Sequence, residues 1–115
     1  MSLVEPKIVC IMPCFNRKDT IAKAIESVIH QNYTNWELII VDDASTDGST
    51  KIIKKYLADK RITLLQNQNN RGCFYSRNRA LFYIKNLERS HKFVFSLISL
   101  MKVYLQDLYM GFSLE

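Results

Sequence analysis

Apolar residues along this chain form two alternating patterns. Three short runs of mostly apolar residues, many of them β-branched, have the length of strands buried on both faces of a sheet. The three runs are residues 7–13, 36–41 and 62–65. After each run, apolar residues recur at helical spacing. These helical segments are residues 16–30, 52–57 and 73–85. The pattern therefore predicts the element order βαβαβα.

Strands that alternate with helices pair in parallel through right-handed crossovers. The predicted fold class is therefore α/β, a three-layer sandwich with a mostly parallel sheet. In such sheets ligands bind beyond the carboxyl ends of the strands. The candidate site residues lie where the first two strands end, at that edge. They are Pro13, Phe15 and Asn16 after the first strand, and Asp42 and Asp43 after the second.

Asp42 and Asp43 are adjacent carboxylates at the end of a buried strand, where their repulsion costs stability unless something uses them. A carboxylate in this position can accept a hydrogen bond from the N3–H of uracil or from a ribose hydroxyl. Asn16 has two interpretations, a ligand contact or the N-cap of the first helix. The chain has neither a G-x-G-x-x-G nor a P-loop motif, which argues against a dehydrogenase or an NTPase.

Composition narrows the class of partner. The 115 residues, 48% of them hydrophobic, suffice for one compact domain. A net charge of +5 suits an anionic partner, but the basic residues are spread over several segments, which argues against nucleic acid. The three cysteines form no C-x-x-C pair, so we expect neither zinc nor a disulfide framework, and a cytoplasmic setting. The apolar run at 93–101 is shorter than the roughly 20 residues of a spanning helix, which leaves contact with a membrane surface open.

Four motifs occur in a fixed order over the first two thirds of the chain. They are residues 11–16 (IMPCFN), 27–31 (SVIHQ), 36–50 (WELIIVDDASTDGST), and 70–72 (NRG) with 76–78 (SRN). Together they resemble the family-two inverting glycosyltransferases of GT-A fold. The resemblance implies that residues 4–86 form the Rossmann-like, nucleotide-sugar-binding half of that fold. It also implies transfer of a sugar from an activated donor, commonly a UDP-sugar, with inversion.

Seven residues match positions that hold the nucleotide in the family: Pro13, Phe15, Asn16, Asp42, Asp43, Arg71 and Arg77. By this resemblance the first three would line the pocket for the base and ribose. Asp43 would bind the uracil ring, and Asp42 would support its loop. The two arginines would approach the base or the diphosphate, because a guanidinium fork matches phosphate oxygens. By contrast, Ser45, Asp47 and Gly48 are interpreted as turn and cap residues.

Residues 87–115 depart from the family pattern. The family follows its third helix with a strand that ends in Asp-x-Asp, whose carboxylate holds Mg²⁺ or Mn²⁺ on the donor diphosphate. The corresponding strand here would be residues 92–98, and no carboxylate follows it before Asp107. We therefore predict no metal site in this chain. The apolar tail is expected to form a substitute strand and helix, or to bury itself against another copy of the chain.

Three functional hypotheses follow from these observations. The first is a glycosyltransferase-like donor-binding domain, truncated and of doubtful activity on its own. The second is a catalytically inactive nucleotide-binding or interaction module, which the missing Asp-x-Asp favours. The third, a receiver-type signalling domain, fits poorly, because a receiver has its acidic pair after the first strand and Asp42 and Asp43 follow the second.

Overall fold

A computed structural model describes residues 6–87 and 92–96 of the chain. These residues form seven elements: β1 (Lys7–Cys14), α1 (Ile21–Ile29), β2 (Trp36–Asp42), α2 (Ser49–Lys54), β3 (Ile62–Gln66), α3 (Cys73–Leu87) and β4 (Lys92–Ser96). The predicted order βαβαβα is confirmed, and a fourth strand follows it.

The four strands form one parallel sheet in the order β3-β2-β1-β4. Cys14 at the end of β1 pairs with Asp42 at the end of β2, and Asp42 pairs with Gln66 at the end of β3. The carboxyl ends of these three strands are therefore level with one another. This alignment confirms the predicted α/β fold and brings the loops that follow the strands to one edge.

Helices cover both faces of the sheet, because the central strands are apolar on both sides. On one face, Ile21, Ile25 and Val28 of α1 and Ile53 of α2 pack against the sheet. On the other face, α3 packs its small or apolar side against β1 and β2. The second cluster comprises Val9, Ile11, Ile39, Val41, Ala80 and Ile84. The result is the predicted three-layer arrangement.

Two helices differ in their bounds from the hydrophobic pattern: α1 is shorter than predicted, and α2 begins and ends three residues earlier. The first helix begins at Ile21 after Thr20, so the prediction of Asn16 as its N-cap is wrong. The second ends at Lys54, and Tyr56 and Leu57 lie in turns although they still pack against the core. Apolar spacing identifies which residues become buried, but a turn can bury them as well as a helix can.

Part of the apolar tail joins the sheet. Residues Lys92–Ser96 form β4, which pairs with β1 over its whole length. The rest of the predicted strand and the predicted helix, in residues 97–115, lie outside the described residues. The predicted division of the chain at residue 86 stays a prediction. Over residues 6–87 and 92–96, no helix has the length and apolar character needed to cross a membrane.

Candidate functional site

Three loops meet at the carboxyl edge of the sheet: the β1–α1 loop (residues 15–20), the β2–α2 loop (residues 43–48) and the β3–α3 loop (residues 67–72). Two backbone hydrogen bonds extend the strand ladder past its end. The Asp43 N–H donates to the Cys14 carbonyl at 2.8 Å, and the Asn67 N–H donates to the Asp42 carbonyl at 2.8 Å. The start of each loop is therefore held in register with its neighbour.

Asp42 is buried, with 2% of its surface exposed, and its two carboxylate oxygens both bind hydroxyl groups. Oδ1 accepts a hydrogen bond from the Ser45 hydroxyl, and Oδ2 accepts one from the Thr50 hydroxyl at 2.6 Å. The side chain thus ties the β2–α2 loop to the first turn of α2. Because both oxygens already have partners within the chain, the Asp42 carboxylate has a structural role.

Asp43 is 4% exposed and connects the β2–α2 loop to the β3–α3 loop. Its Oδ1 accepts from the Asn67 side-chain amide and from the Arg71 N–H, and its Oδ2 accepts from the Gly72 N–H, each at 2.8 Å. Burial by itself would raise the pKa of Asp43, but these three donors lower it below its usual value. Asp43 is therefore an ionised, oriented acceptor at neutral pH.

The Asp43 carboxylate retains capacity for one further donor. Each carboxylate oxygen can accept about two hydrogen bonds, and Oδ2 accepts one, from Gly72, among the described residues. The Asp43 carboxylate also lies just past the carboxyl end of β2, next to the end of β1. This is the edge at which α/β sheets bind ligands. The bond network orients the remaining lone pair before any ligand arrives.

Asn16 joins the β1–α1 loop to the β2–α2 loop instead of capping a helix. Its backbone has a φ of 49°, in the left-handed region that asparagine tolerates better than most residues. The Asn16 N–H donates to the Ser45 hydroxyl at 2.8 Å, and the Asn16 Oδ1 accepts from the Thr46 N–H at 2.7 Å. The amide group Nδ2 has no partner among the described residues and is available to a ligand.

Two more hydrogen bonds join the same pair of loops. The Arg17 N–H donates to the Ser49 hydroxyl at 2.8 Å, and the Lys18 N–H donates to the Asp47 carboxylate at 3.1 Å. Asp47 also accepts the Ser49 N–H at 3.0 Å and the Ser49 hydroxyl at 2.6 Å. The Ser49 hydroxyl and the Asp47 carboxylate therefore hold the two loops together. The same loops carry the more exposed residues of the site.

Pro13 and Phe15 differ in their access to a ligand. Pro13 is buried in β1, where it pairs with Val41. Phe15 follows the strand and is 42% exposed, which is unusual for a phenylalanine in a compact domain. The ring is therefore available for contact with a planar group at the sheet edge.

Arg71 and Arg77 both lie near the beginning of α3. The Arg71 guanidinium stacks over the Tyr75 ring at 4.3 Å, and the Arg77 guanidinium lies 5.2 Å from the centre of the Phe74 ring. Arg77 also contacts the Cys73 sulfur at 3.8 Å. Of the seven predicted residues, six lie at or beside the loop junction, and Arg77 lies one turn along α3.

A polar hollow of about 290 Å³ adjoins this junction. It is lined by residues 66–69 with Arg71, Tyr75 and Arg79, and Arg71 is its one member predicted from the sequence. Arg79 donates to the Gln66 carbonyl and to the Asn67 side chain, both at 2.8 Å. The sequence prediction omitted Asn67, which directly follows β3. Its position after a parallel strand was the signal that could have identified it.

The described residues do not fit a Mg²⁺ or Mn²⁺ ion. Over residues 6–87 and 92–96 there is no group of three His, Cys, Asp or Glu side chains able to hold a metal. The oxygens of Asp42 and Asp43 accept hydrogen bonds from the chain itself. Asp43 keeps one acceptor position, but it is a single carboxylate and not part of a group of ligands among these residues.

Comparison with known proteins identifies the family of this chain. The model of glycosyl transferase family 2 matches residues 9–86. The chain therefore belongs to this family, as the motifs predicted. Among curated relatives, the putative glycosyltransferase EpsE of Bacillus subtilis is 47% identical over 78 residues, and the putative teichuronic acid biosynthesis glycosyltransferase TuaG of the same organism is 40% identical over 78 residues.

The matched region is a minor part of these relatives. It covers 66% of this chain and 28% of EpsE, and 67% of this chain and 31% of TuaG. Solved glycosyltransferase structures confirm the fold. S. aureus TarS 1-349 in complex with UDP has a TM-score of 0.69 and 28% identity, covering 90% of this chain and 31% of that one.

A second solved structure contains a nucleotide with a different base. The mannosyltransferase PcManGT from Pyrobaculum calidifontis, in complex with GDP-Man and Mn²⁺, has a TM-score of 0.64 and 26% identity. The match covers 70% of this chain and 25% of that one. Structural neighbours thus include proteins bound to uridine and to guanosine nucleotides.

Proposed function

We propose that this chain binds the nucleoside diphosphate of a UDP-sugar at the junction of the three loops, as the donor-binding part of an inverting sugar transfer. The observation that carries the proposal is the state of Asp43. This carboxylate is buried, ionised and oriented by two backbone N–H groups and one amide, and it has acceptor capacity left.

The uracil ring suits this acceptor. Its N3–H is a donor, and a carboxylate is a stronger acceptor than a neutral carbonyl. The exposed ring of Phe15 supplies an apolar contact surface, and the unpartnered Nδ2 of Asn16 supplies a donor for a base or ribose oxygen. Guanine also carries an N–H donor, so GDP is the natural competitor.

The diphosphate would lie toward α3. Arg71 ends the β3–α3 loop and Arg77 lies one turn along α3, and the guanidinium group of each can form paired hydrogen bonds with phosphate oxygens. The Gly72 N–H donates to the Asp43 carboxylate at 2.8 Å, which holds the residue before α3 against this part of the site. The proposed pocket therefore runs from Phe15 and Asn16, past Asp43, to the arginines.

The experiment is a calorimetric titration of the full chain with UDP, with GDP, and with UDP plus Mn²⁺. We expect saturable binding of UDP that exceeds the binding of GDP and does not require the metal. Asp43→Asn should weaken UDP binding by about tenfold or more, because a charge-assisted hydrogen bond contributes roughly 1.5–3 kcal/mol.

A matched variant separates charge from position. Glu37→Gln makes the same change at the opposite edge of the sheet, where Glu37 pairs with Lys7 at 3.0 Å, and should leave UDP binding unchanged. Equal losses in both variants would contradict the proposed site. So would the absence of UDP binding by folded protein, or tighter binding of GDP than of UDP.

Nucleotide binding without sugar transfer is the second candidate function. It is favoured by the sequence from 93 to 101, which has no carboxylate where the family has its metal-binding motif. Incubation with a radiolabelled UDP-sugar and measurement of released UDP distinguishes the two. Release that depends on Asp43 and rises with added acceptor supports transfer, whereas binding without release supports the second candidate.

A further inference from the structure

The outward side of α3 is unusually apolar. Among the described residues there are five exposed large hydrophobic side chains, and four of them belong to α3: Phe74, Tyr75, Leu81 and Phe82. Phe74 is 75% exposed and Phe82 is 67% exposed. Their spacing of seven residues, 74 with 81 and 75 with 82, places them along one side of the helix.

The opposite side of α3 is already committed to the sheet. Ser76, Ala80 and Ile84 are buried there, and the last two pack against β1 and β2. The helix is therefore apolar on both sides, whereas a solvated surface helix is polar on the side facing water. Asn78 is also exposed on the outward side, between Phe74 and Phe82. A group of exposed apolar side chains on one helix face still marks an interaction surface more often than isolated exposed residues do.

The charge of α3 is entirely positive. Over Cys73–Leu87 the helix carries Arg77, Arg79 and Lys85 and no acidic residue. Lys85 is exposed and lies one helical turn beyond Leu81, on the same side as Phe82. At the other end, the Arg71 guanidinium stacks on the Tyr75 ring. Arg79 is bonded to Gln66 and Asn67, so Lys85 and Arg71 are the cations that adjoin the exposed rings.

We propose that the outer face of α3, defined as Phe74, Tyr75, Leu81, Phe82 and Lys85, docks on the surface of an anionic lipid bilayer. Aromatic rings are favoured at the boundary between lipid and water. An apolar helix face enters that boundary, and anionic headgroups attract the basic residues that flank it. A second copy of the chain is a poorer partner, because two basic helices would oppose each other.

Vesicle sedimentation of the full chain tests this docking. One set of vesicles contains phosphatidylcholine alone, and the other contains phosphatidylcholine with one third phosphatidylglycerol. We expect binding to the anionic vesicles, little binding to the neutral ones, and a decrease in binding as salt rises. This pattern distinguishes the proposed surface from purely hydrophobic adsorption.

Variants locate the contact on α3. Lys85→Glu should weaken vesicle binding by about fivefold or more, since each basic residue near an anionic surface contributes on the order of that factor. Lys51→Glu is the matched control, because Lys51 is exposed on α2, against the opposite face of the sheet, and this variant should retain most of the binding.

The pair Leu81→Ser and Phe82→Ser should reduce binding by about tenfold through lost apolar burial. All the substituted side chains are exposed or outward, so thermal unfolding should stay close to that of the parent chain.

Several results would overturn the proposal. These are equal binding to neutral and anionic vesicles, no binding to either, or equal losses in Lys85→Glu and Lys51→Glu. A chain that ignores vesicles but self-associates in sedimentation velocity, and becomes monomeric with Phe82→Ser, would show that a second copy covers this face. The variants at Leu81, Phe82 and Lys85 lie outside the proposed nucleotide site and should leave UDP binding unchanged, so the two proposals can fail separately.

Discussion

Asp43 can be placed in the fold from the sequence, but its partners cannot. The apolar run that precedes it predicts a strand, and the end of a parallel strand is where a ligand site forms. Its hydrogen-bond donors, Asn67, Arg71 and Gly72, are 24 to 29 residues further along the chain. Periodicity describes local structure only, so it left open whether this carboxylate binds a ligand, its own loops, or both.

The network around Asp43 predicts a specific dependence of stability on pH. The pKa of Asp43 is lowered in the folded chain, so the charged form contributes stability that is present above its unfolded pKa of about 3.9. That contribution is lost as the pH falls through the lower folded pKa. Asp43→Asn should reduce the free energy of unfolding by about 2 kcal/mol at pH 7.

Chemical denaturation at a series of pH values measures this effect. The difference between the parent chain and Asp43→Asn should be constant from pH 7 to about 5 and should shrink below about 4. A difference that stays constant down to pH 2.5 would mean that the hydrogen bonds, and not the ionised state, account for the loss.

The three cysteines should differ sharply in reactivity. Burial raises the pKa of the Cys10 thiol to about 12, and burial together with the charge of Asp42 raises that of Cys14 to about 11. Cys73 is exposed at the start of α3. Alkylation with iodoacetamide at pH 8 followed by mass spectrometry should give one adduct on the native chain, at Cys73, and three after unfolding. Rapid modification of Cys14 in the native chain would contradict the burial of this thiol at the end of β1.

At the scale of elements, apolar patterning predicted the strands better than the helices. The three strand predictions miss the observed ends by one residue at most, because each strand is a short, largely apolar run in the sequence. The start of α1 was predicted five residues too early. Asn16, Arg17 and Lys18 bond instead to the β2–α2 loop, and a contact between distant segments overrides local helix preference.

The substitution Gly72→Ala tests the junction between the β3–α3 loop and α3. Its φ of 96° lies in the left-handed region, and nothing lies within 4 Å of an added Cβ, so the cost of Gly72→Ala is backbone strain alone. We expect a loss of about 1–2 kcal/mol of unfolding free energy and weaker UDP binding, because the Gly72 N–H orients Asp43. Thermal unfolding and calorimetry measure the two effects.

Gly48 supplies the matched control for this prediction. It has a φ of 98° and equally open surroundings, but it precedes α2 and makes no bond to Asp43. Gly48→Ala should cost similar stability and leave UDP binding near that of the parent chain. Equal losses of UDP binding in both variants would indicate a general effect of strain rather than a role for the Gly72 junction.

At the scale of the whole molecule, the fold follows from few rules. Alternation of strands and helices requires crossovers, and their usual hand gives a parallel sheet covered on both faces. The sheet order then brings the carboxyl ends of β1, β2 and β3 together. For this reason a ligand site can be expected there from the amino-acid sequence by itself. The polar hollow beside this junction was not foreseen, because Arg79 and Asn67 shape it through contacts across the loop.

The central claim is that UDP binds where these three loops meet, and chemical-shift mapping tests it most directly. The ¹⁵N-labelled full chain is titrated with UDP while its backbone amide signals are followed. We predict saturable shifts for residues 14–16, 43–45 and 71–72, with residues 55–61 at the opposite edge of the sheet unchanged. Shifts confined to other residues, or a well-dispersed spectrum that UDP does not alter, would contradict the account.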